Sequence, residues 1–180
     1  MAETPSSMVP LGTEMPCFSL PDAHGNTYSL NKETEGTLVI FMCNHCPFVV
    51  HIADTLNQVN EMCKRFRVEM IGINANDIQA YPDDAPAKMV VESAKHGWQF
   101  PYLFDESQEV AKQFHATCTP DTFLFDAKGK LFYRGQIDDS RPNNCKSDGN
   151  DILNALKALV DNEPPPSNQK PALGCNIKWK

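Results

Sequence analysis

The sequence predicts a single α/β domain, a mixed central β-sheet flanked by helices. Three observations carry this. Thr37 to Met42 and Val68 to Asn74 are continuous apolar runs of strand length, the pattern of strands covered on both faces. Between them lies an amphipathic helical pattern. Later the alternation gives way to a hairpin pattern, which adds antiparallel strands to a parallel start. At 180 residues the chain has the size of one domain with a sizeable core.

Each element follows from its residues. The first sixteen residues, rich in Ser, Thr, Pro and Met, are expected to form a loose lead-in. Phe18 to Leu20 and Thr27 to Leu30 flank the turn-rich stretch Pro21 to Asn26 and predict a hairpin. From Phe48 to Phe66, apolar residues at Val49, Ile52, Ala53, Leu56, Val59 and Met62 fall three or four apart, predicting one long helix. Tyr81 to Pro86 leads into a helix over Ala87 to His96, ended near Gly97. Tyr102 to Phe104 is a short strand, followed by a short helix over Ser107 to His115 with Ser107 as N-cap. Asp121 to Phe125 and Lys130 to Arg134 surround Ala127 to Gly129, a second hairpin. Ile152 to Val160 forms the last helix, and Pro164 to Pro166 then breaks the chain. Beyond it Leu173, Cys175, Ile177 and Trp179 alternate with Gly174, Asn176 and Lys178, a strand-like period. The tail is expected to fold back on the domain with Trp179 as an anchor. The organisation is thus a lead-in (1–16), a domain (17–163), and a Pro-rich linker with a docked tail (164–180).

Composition narrows the function classes. Sixteen Lys and Arg against 23 Asp and Glu give a net charge of −7, the wrong sign for gripping nucleic acid. No apolar run approaches the roughly 20 residues that span a bilayer. Met1 to Pro16 carries no basic residue and no apolar stretch of a secretory signal. Neither nucleic acid nor membrane is expected as a partner, and a cytoplasmic location is. Seven cysteines without regular spacing are expected to be mostly reduced thiols.

Cys43 and Cys46 are the close pair, placed where a buried strand ends and a long helix begins. Two cysteines three apart there can bring their sulfurs together, and a helix start favours a thiolate. His45 can add positive charge, Asn44 completes the loop, and Pro47 suits an early helical position. This is the condition for thiol–disulfide exchange. A structural zinc site takes four ligands, commonly from two such knuckles, and the chain has one, which His51, Cys63 or His115 could in principle complete. No metal and no cofactor is expected.

The strand–Cys43-Asn44-His45-Cys46–helix unit, followed by Thr119 and Pro120 before the late hairpin, resembles the thioredoxin superfamily. The opening hairpin resembles that of the peroxiredoxin and bacterial thiol-oxidoreductase branch. Cys43 to Phe48, Asp139 to Pro142 and Gly174 to Trp179 are similar to a peroxiredoxin-like, AhpC/TSA-related family that carries CxxC. The resemblance implies a thioredoxin-like fold with an N-terminal β-hairpin and a C-terminal extended tail. It also implies a thiol–disulfide oxidoreductase in which Cys43 attacks and Cys46 resolves, modulated by Asn44, His45 and Pro47. Pro120 matches the superfamily's cis-proline, and Thr119 its backbone partner for an extended substrate. Partners would be thiol or disulfide proteins and a reducing or oxidising partner.

Departures from the pattern are specific. Met42 stands where thioredoxins place Trp, and Thr37 to Met42 holds no carboxylate to match their buried acid. Cys46 falls at the peroxidatic position, but Cys43 and Val39 stand where peroxiredoxins need Thr or Ser and Pro, and the family's arginine would fall near Pro120. A thiol-dependent peroxidase using Cys46 is therefore the alternative, and a redox-responsive or metal-binding module the other. Among remaining residues, Cys63 reads as core, and Trp98 and Tyr102 as core or rim. His51 reads as a packed or solvent-facing residue, and Asp138 with Asp139 as a solvated acidic pair. Arg141 has no assigned role. Cys43 is expected to be the more acidic and more exposed sulfur. Cys118 is a structural or accessory thiol; Cys175 is a packing cysteine in a docked tail or a third redox thiol.

Overall fold

The structure is a computed structural model that describes residues 3–31 and 33–180. Its strands in chain order are β1 (Glu3–Pro5), β2 (Leu20–Pro21), β3 (Thr27–Tyr28), β4 (Gly36–Phe41), β5 (Val68–Asn74), β6 (Tyr102–Phe104), β7 (Cys118–Thr119), β8 (Asp121–Asp126), β9 (Leu131–Gly135) and β10 (Leu173–Asn176). The helices are α1 (Pro47–His51), α2 (Ala53–Arg65), α3 (Pro86–His96), α4 (Glu109–Gln113) and α5 (Asn150–Val160), with a 3-10 turn at Pro82–Asp84.

β4 is the middle of a five-stranded sheet of order β6-β5-β4-β8-β9, and each of its residues is buried. It runs parallel to β5 and antiparallel to β8, so the mixed sheet expected from the sequence is present. Side chains alternate across it. Leu38, Ile40 and Met42 face one core with Leu56 and Val59 of α2 and Leu156 of α5; Val39 and Phe41 face the other with Val110, Phe114 and Phe123. Helices thus cover both faces. No helix among the described residues is long and apolar enough to cross a membrane.

Several local details differ from the sequence reading. The long helix is broken at Ile52 into α1 and α2. Ser107 is not the N-cap of α4; Gln108 is, with φ 65°, while Asp105 takes the Ala111 N–H at 2.9 Å. The lead-in is not loose from residue 3 onward: β1 pairs with β10, and Gly12 and Met15 donate their N–H groups to the carbonyls of Leu131 and Gly129 (both 2.8 Å). Met1 and Ala2 lie outside the described residues.

The tail folds back in extended form, as expected. β10 is the middle strand of a second sheet of order β1-β10-β7. Trp179, however, is 41% exposed and is not the anchor. Backbone bonds hold that end instead: Lys178 N–H donates to Asn76 Oδ1 (2.9 Å), and the Lys178 carbonyl accepts from Asp77 N–H (2.8 Å) and Gln108 Nε2 (2.8 Å). The apolar grip comes from Ile177, which is fully buried.

Candidate active site

β4 ends inside the core, so the chain leaves it at Met42 and Cys43 with almost no access to solvent. Asn44 and His45 turn the chain, Cys46 is the N-cap of α1, and Pro47 fills the first helical position, where a missing N–H costs nothing. The helix therefore starts at the second cysteine, not the first. Both sulfurs are buried, Cys43 1% and Cys46 0% exposed.

Across from them runs Thr119–Pro120, a cis peptide bond as the resemblance implied. The Thr119 hydroxyl lies 3.5 Å from Cys43 Sγ, and the Cys46 thiol donates to the Thr119 carbonyl at 3.1 Å. β10 places Cys175 in antiparallel register with Thr119, buried in the same core as Cys43 and Cys46.

The hydrogen bond between Cys43 and Cys46 dominates the acidity of both. It pushes Cys43 well up, helped by burial and by the Asp84 carboxylate. It draws Cys46 down to about 5, and the Thr119 hydroxyl, the Cys175 thiol and the Val49 N–H in the first turn of α1 pull the same way against burial. The bond to the Thr119 carbonyl is made only by the thiol and opposes ionisation; four donors outweigh one acceptor. The acidity thus favours Cys46 rather than Cys43, chiefly through the bond between them, and neither cysteine is exposed.

A buried acid does stand beside the pair, although Thr37 to Met42 lacks one. Asp84, fully buried at the end of the 3-10 turn, accepts the Asn44 N–H (2.9 Å) and the Asn76 amide (2.7 Å), and its Oδ2 is 2.8 Å from His45 Nδ1. The His45 ring stacks on Tyr81. The Tyr102 hydroxyl, read from sequence as core or rim, donates to Asn44 Oδ1 (3.1 Å). Cys43, His45 and Asp84 bring a sulfur, a nitrogen and an oxygen within 4.8 Å of one another, so these are the described residues that would hold a metal ion. Both Asp84 oxygens already accept N–H groups.

Other residues fall away from the sulfurs. Cys118 points its thiol at the Pro120 carbonyl (3.6 Å), and burial pushes its acidity down. Cys63 is buried on α2 and pushed up to about 12 by burial alone. His51 bonds Ser140 (2.9 Å), and Arg141 holds the carbonyls of Asp138 (3.1 Å) and Ser140 (2.6 Å). Both line a cleft with Phe48, Pro120 and Leu173 beside the pair. Asp138 is not solvated: it is buried and accepts from Ser140, Ser147, Asp148 and Gly149, tying down the loop before α5. Arg134 is fully buried in an ion pair with Asp121 and also donates to the carbonyls of Thr122 and Ser7 (both 3.1 Å).

Residues 11–134 match the model of the AhpC/TSA family. An uncharacterized conserved protein from Geobacillus kaustophilus has 44% identity and a TM-score of 0.95 over 100% of this chain and 97% of that one. A secreted Mycobacterium tuberculosis disulfide oxidoreductase, homologous to E. coli DsbE, has 16% identity and a TM-score of 0.59, covering 78% of this chain and 95% of that one. Peroxidoxin BcpB from the same organism has 19% identity and a TM-score of 0.62, covering 82% and 96%. The fold is therefore thioredoxin-like, as the resemblance implied. No curated protein matches the chain.

Proposed function

The chain belongs to the AhpC/TSA family, and from that membership and the cysteine site we propose a thiol–disulfide oxidoreductase working through Cys43 and Cys46. One observation carries the reading: Cys43 and Cys46 lie buried together against the cis Thr119–Pro120 bond, with Thr119 bonded to both sulfurs. Cys46 is then the attacking thiolate. Its sulfur bonds to one sulfur of a substrate disulfide, and the other sulfur leaves as a thiolate. Cys43 next attacks Cys46 Sγ, closing the Cys43–Cys46 disulfide and releasing the reduced substrate. The His45–Asp84 pair takes the Cys43 proton in that step. In the oxidising direction the steps run backward. Thr119 offers the backbone against which an extended substrate pairs, and Pro120 with the cleft beside it receives the substrate's side chains.

This exchanges the roles that the resemblance assigned to the two cysteines. It keeps the partners: thiol or disulfide proteins, and a reducing or oxidising protein that resets the pair. A reducing, cytoplasmic setting suits a chain with seven cysteines, of which Cys17 and Cys145 are exposed.

A second reading, peroxidase chemistry at Cys46, draws on its low pKa at the start of α1. Against it, Cys43 occupies the place of a peroxide-orienting hydroxyl, and Pro120 the place of the family's arginine. Two assays on one preparation separate the readings. Insulin reduction with a dithiol reductant should proceed with wild type and fail with Cys46→Ser. Peroxide consumption that outpaces insulin reduction and persists in Cys43→Ser would favour the peroxidase.

A further inference from the structure

We infer that Cys175 is a third exchange thiol, held by the C-terminal strand where the cysteine of an extended substrate would meet Cys46. The inference rests on reading Cys43 and Cys46 as a redox pair.

The strand lies on the backbone that the substrate would use. β10 pairs antiparallel with β7, with Cys175 opposite Thr119 and Asn176 opposite Cys118. Its other edge is closed by β1, with Glu3 opposite Cys175. The approach is closer than a side chain allows. A Cβ on Gly174 would stand 2.1 Å from the Thr119 carbonyl oxygen and 3.1 Å from Pro120 N, so this position requires glycine. Beyond Cys175, the Ile177 N–H bonds the Thr117 carbonyl (3.1 Å), and Lys178 is clamped by Asn76 and Asp77. The cysteine between these anchors is 4% exposed and buried in the same core as Cys43 and Cys46. Cys63 shows what a packing cysteine looks like here: burial is the single influence on its thiol. Cys175 instead stands opposite Thr119, whose carbonyl takes the Cys46 thiol at 3.1 Å.

The step is an intramolecular exchange. With Cys43 and Cys46 joined, the Cys175 sulfur attacks Cys46 Sγ. The Cys46–Cys175 bond forms and the Cys43–Cys46 bond breaks. The electron pair leaves on Cys43, which takes up the proton that Cys175 gives up. Nothing is oxidised or reduced overall; the disulfide moves by one thiol. A protein substrate pairing with Thr119 would displace β10 and replace Cys175 by its own cysteine.

The test uses the full chain carrying Cys43→Ser, with Cys43→Ala as a second variant. Each is treated with one equivalent of diamide, alkylated, digested without reduction and mapped by mass spectrometry. A Cys46–Cys175 bridge should be the main disulfide, with two thiols lost per chain. Adding Gly174→Ala should lower its yield at least fivefold. Cys46 that stays alkylatable, or that bridges to another chain or to Cys118, would overturn the inference. So would a bridge indifferent to Gly174→Ala. Wild type run in parallel decides the underlying reading separately: it should give Cys43–Cys46, and its failure to do so would remove the redox pair whatever the variants show.

Discussion

Asp84 accepts the backbone N–H of Asn44, between the two cysteines, at 2.9 Å across forty residues of sequence. The 3-10 turn carries the acid in, and the same carboxylate bonds Asn76 and stands beside His45. The loop between Cys43 and Cys46 is therefore pinned by a buried charge rather than by its own turn chemistry.

Asp84→Asn should damage both fold and chemistry. An amide in this place sets its NH2 group against the donors of Asn44 or Asn76, leaving a buried donor unpaired at a cost of about 1–3 kcal/mol. Urea midpoints of the reduced proteins would show it. Loss of the proton acceptor should also slow closure of the Cys43–Cys46 bridge by on the order of a hundredfold. A mixed disulfide between Cys46 and glutathione would then accumulate. Unchanged stability and unchanged closure would reduce Asp84 to a bystander.

Cys46 should ionise near pH 5. Thiolate absorbance near 240 nm should rise through that pH in the reduced wild type, and the step should vanish in Cys46→Ser. The folded pKa lies below that of an unfolded thiol, about 8.5. Ionisation therefore stabilises the folded dithiol increasingly from pH 5 upward, fully above the unfolded pKa. That contribution is lost as pH falls through 5. A first step near pH 8 or above would contradict the assignment.

Asp138→Ala should loosen the loop that leads into α5. The carboxylate accepts from the N–H groups of Ser140, Asp148 and Gly149 and from the Ser147 hydroxyl. Hydrogen bonds to a charged group contribute about 1.5–3 kcal/mol each, though not additively, so a loss of roughly 3 kcal/mol is expected by denaturant unfolding. Hydrogen exchange should increase at the first turn of α5. A loss below about 0.5 kcal/mol would show the knot to be dispensable.

Much of this was legible in the sequence because it is local. The runs Thr37 to Met42 and Val68 to Asn74 betray central strands by composition alone, and the spacing of Cys43 and Cys46 marks the site. Thr119 and Pro120 were reachable only through resemblance, since an X–Pro dipeptide carries no local sign of what it faces. Asp84 was missed because Tyr81 to Pro86 looks like an ordinary polar approach to a helix; its partners are Asn74, at the end of β5, and Asn76 just beyond it. Asp138 was misread for a similar reason, its donors lying downstream in an irregular loop. The tail's period correctly predicted an extended segment. It overrated Trp179, because that end is held by buried Ile177 and by Lys178 backbone groups that periodicity does not register. The acidity of the pair turns chiefly on the bond between Cys43 and Cys46, a contact that sequence patterns do not register.

The central claim is that Cys43 and Cys46 form a reversible disulfide. The full chain equilibrated across a series of glutathione redox buffers, then alkylated and mapped, tests it most directly. The account predicts a Cys43–Cys46 bridge that appears and disappears reversibly, following a two-electron curve of about 30 mV per tenfold change in the ratio of oxidised to reduced protein. Two free thiols at Cys43 and Cys46 at every poise, or a bridge that never reverses, would contradict it.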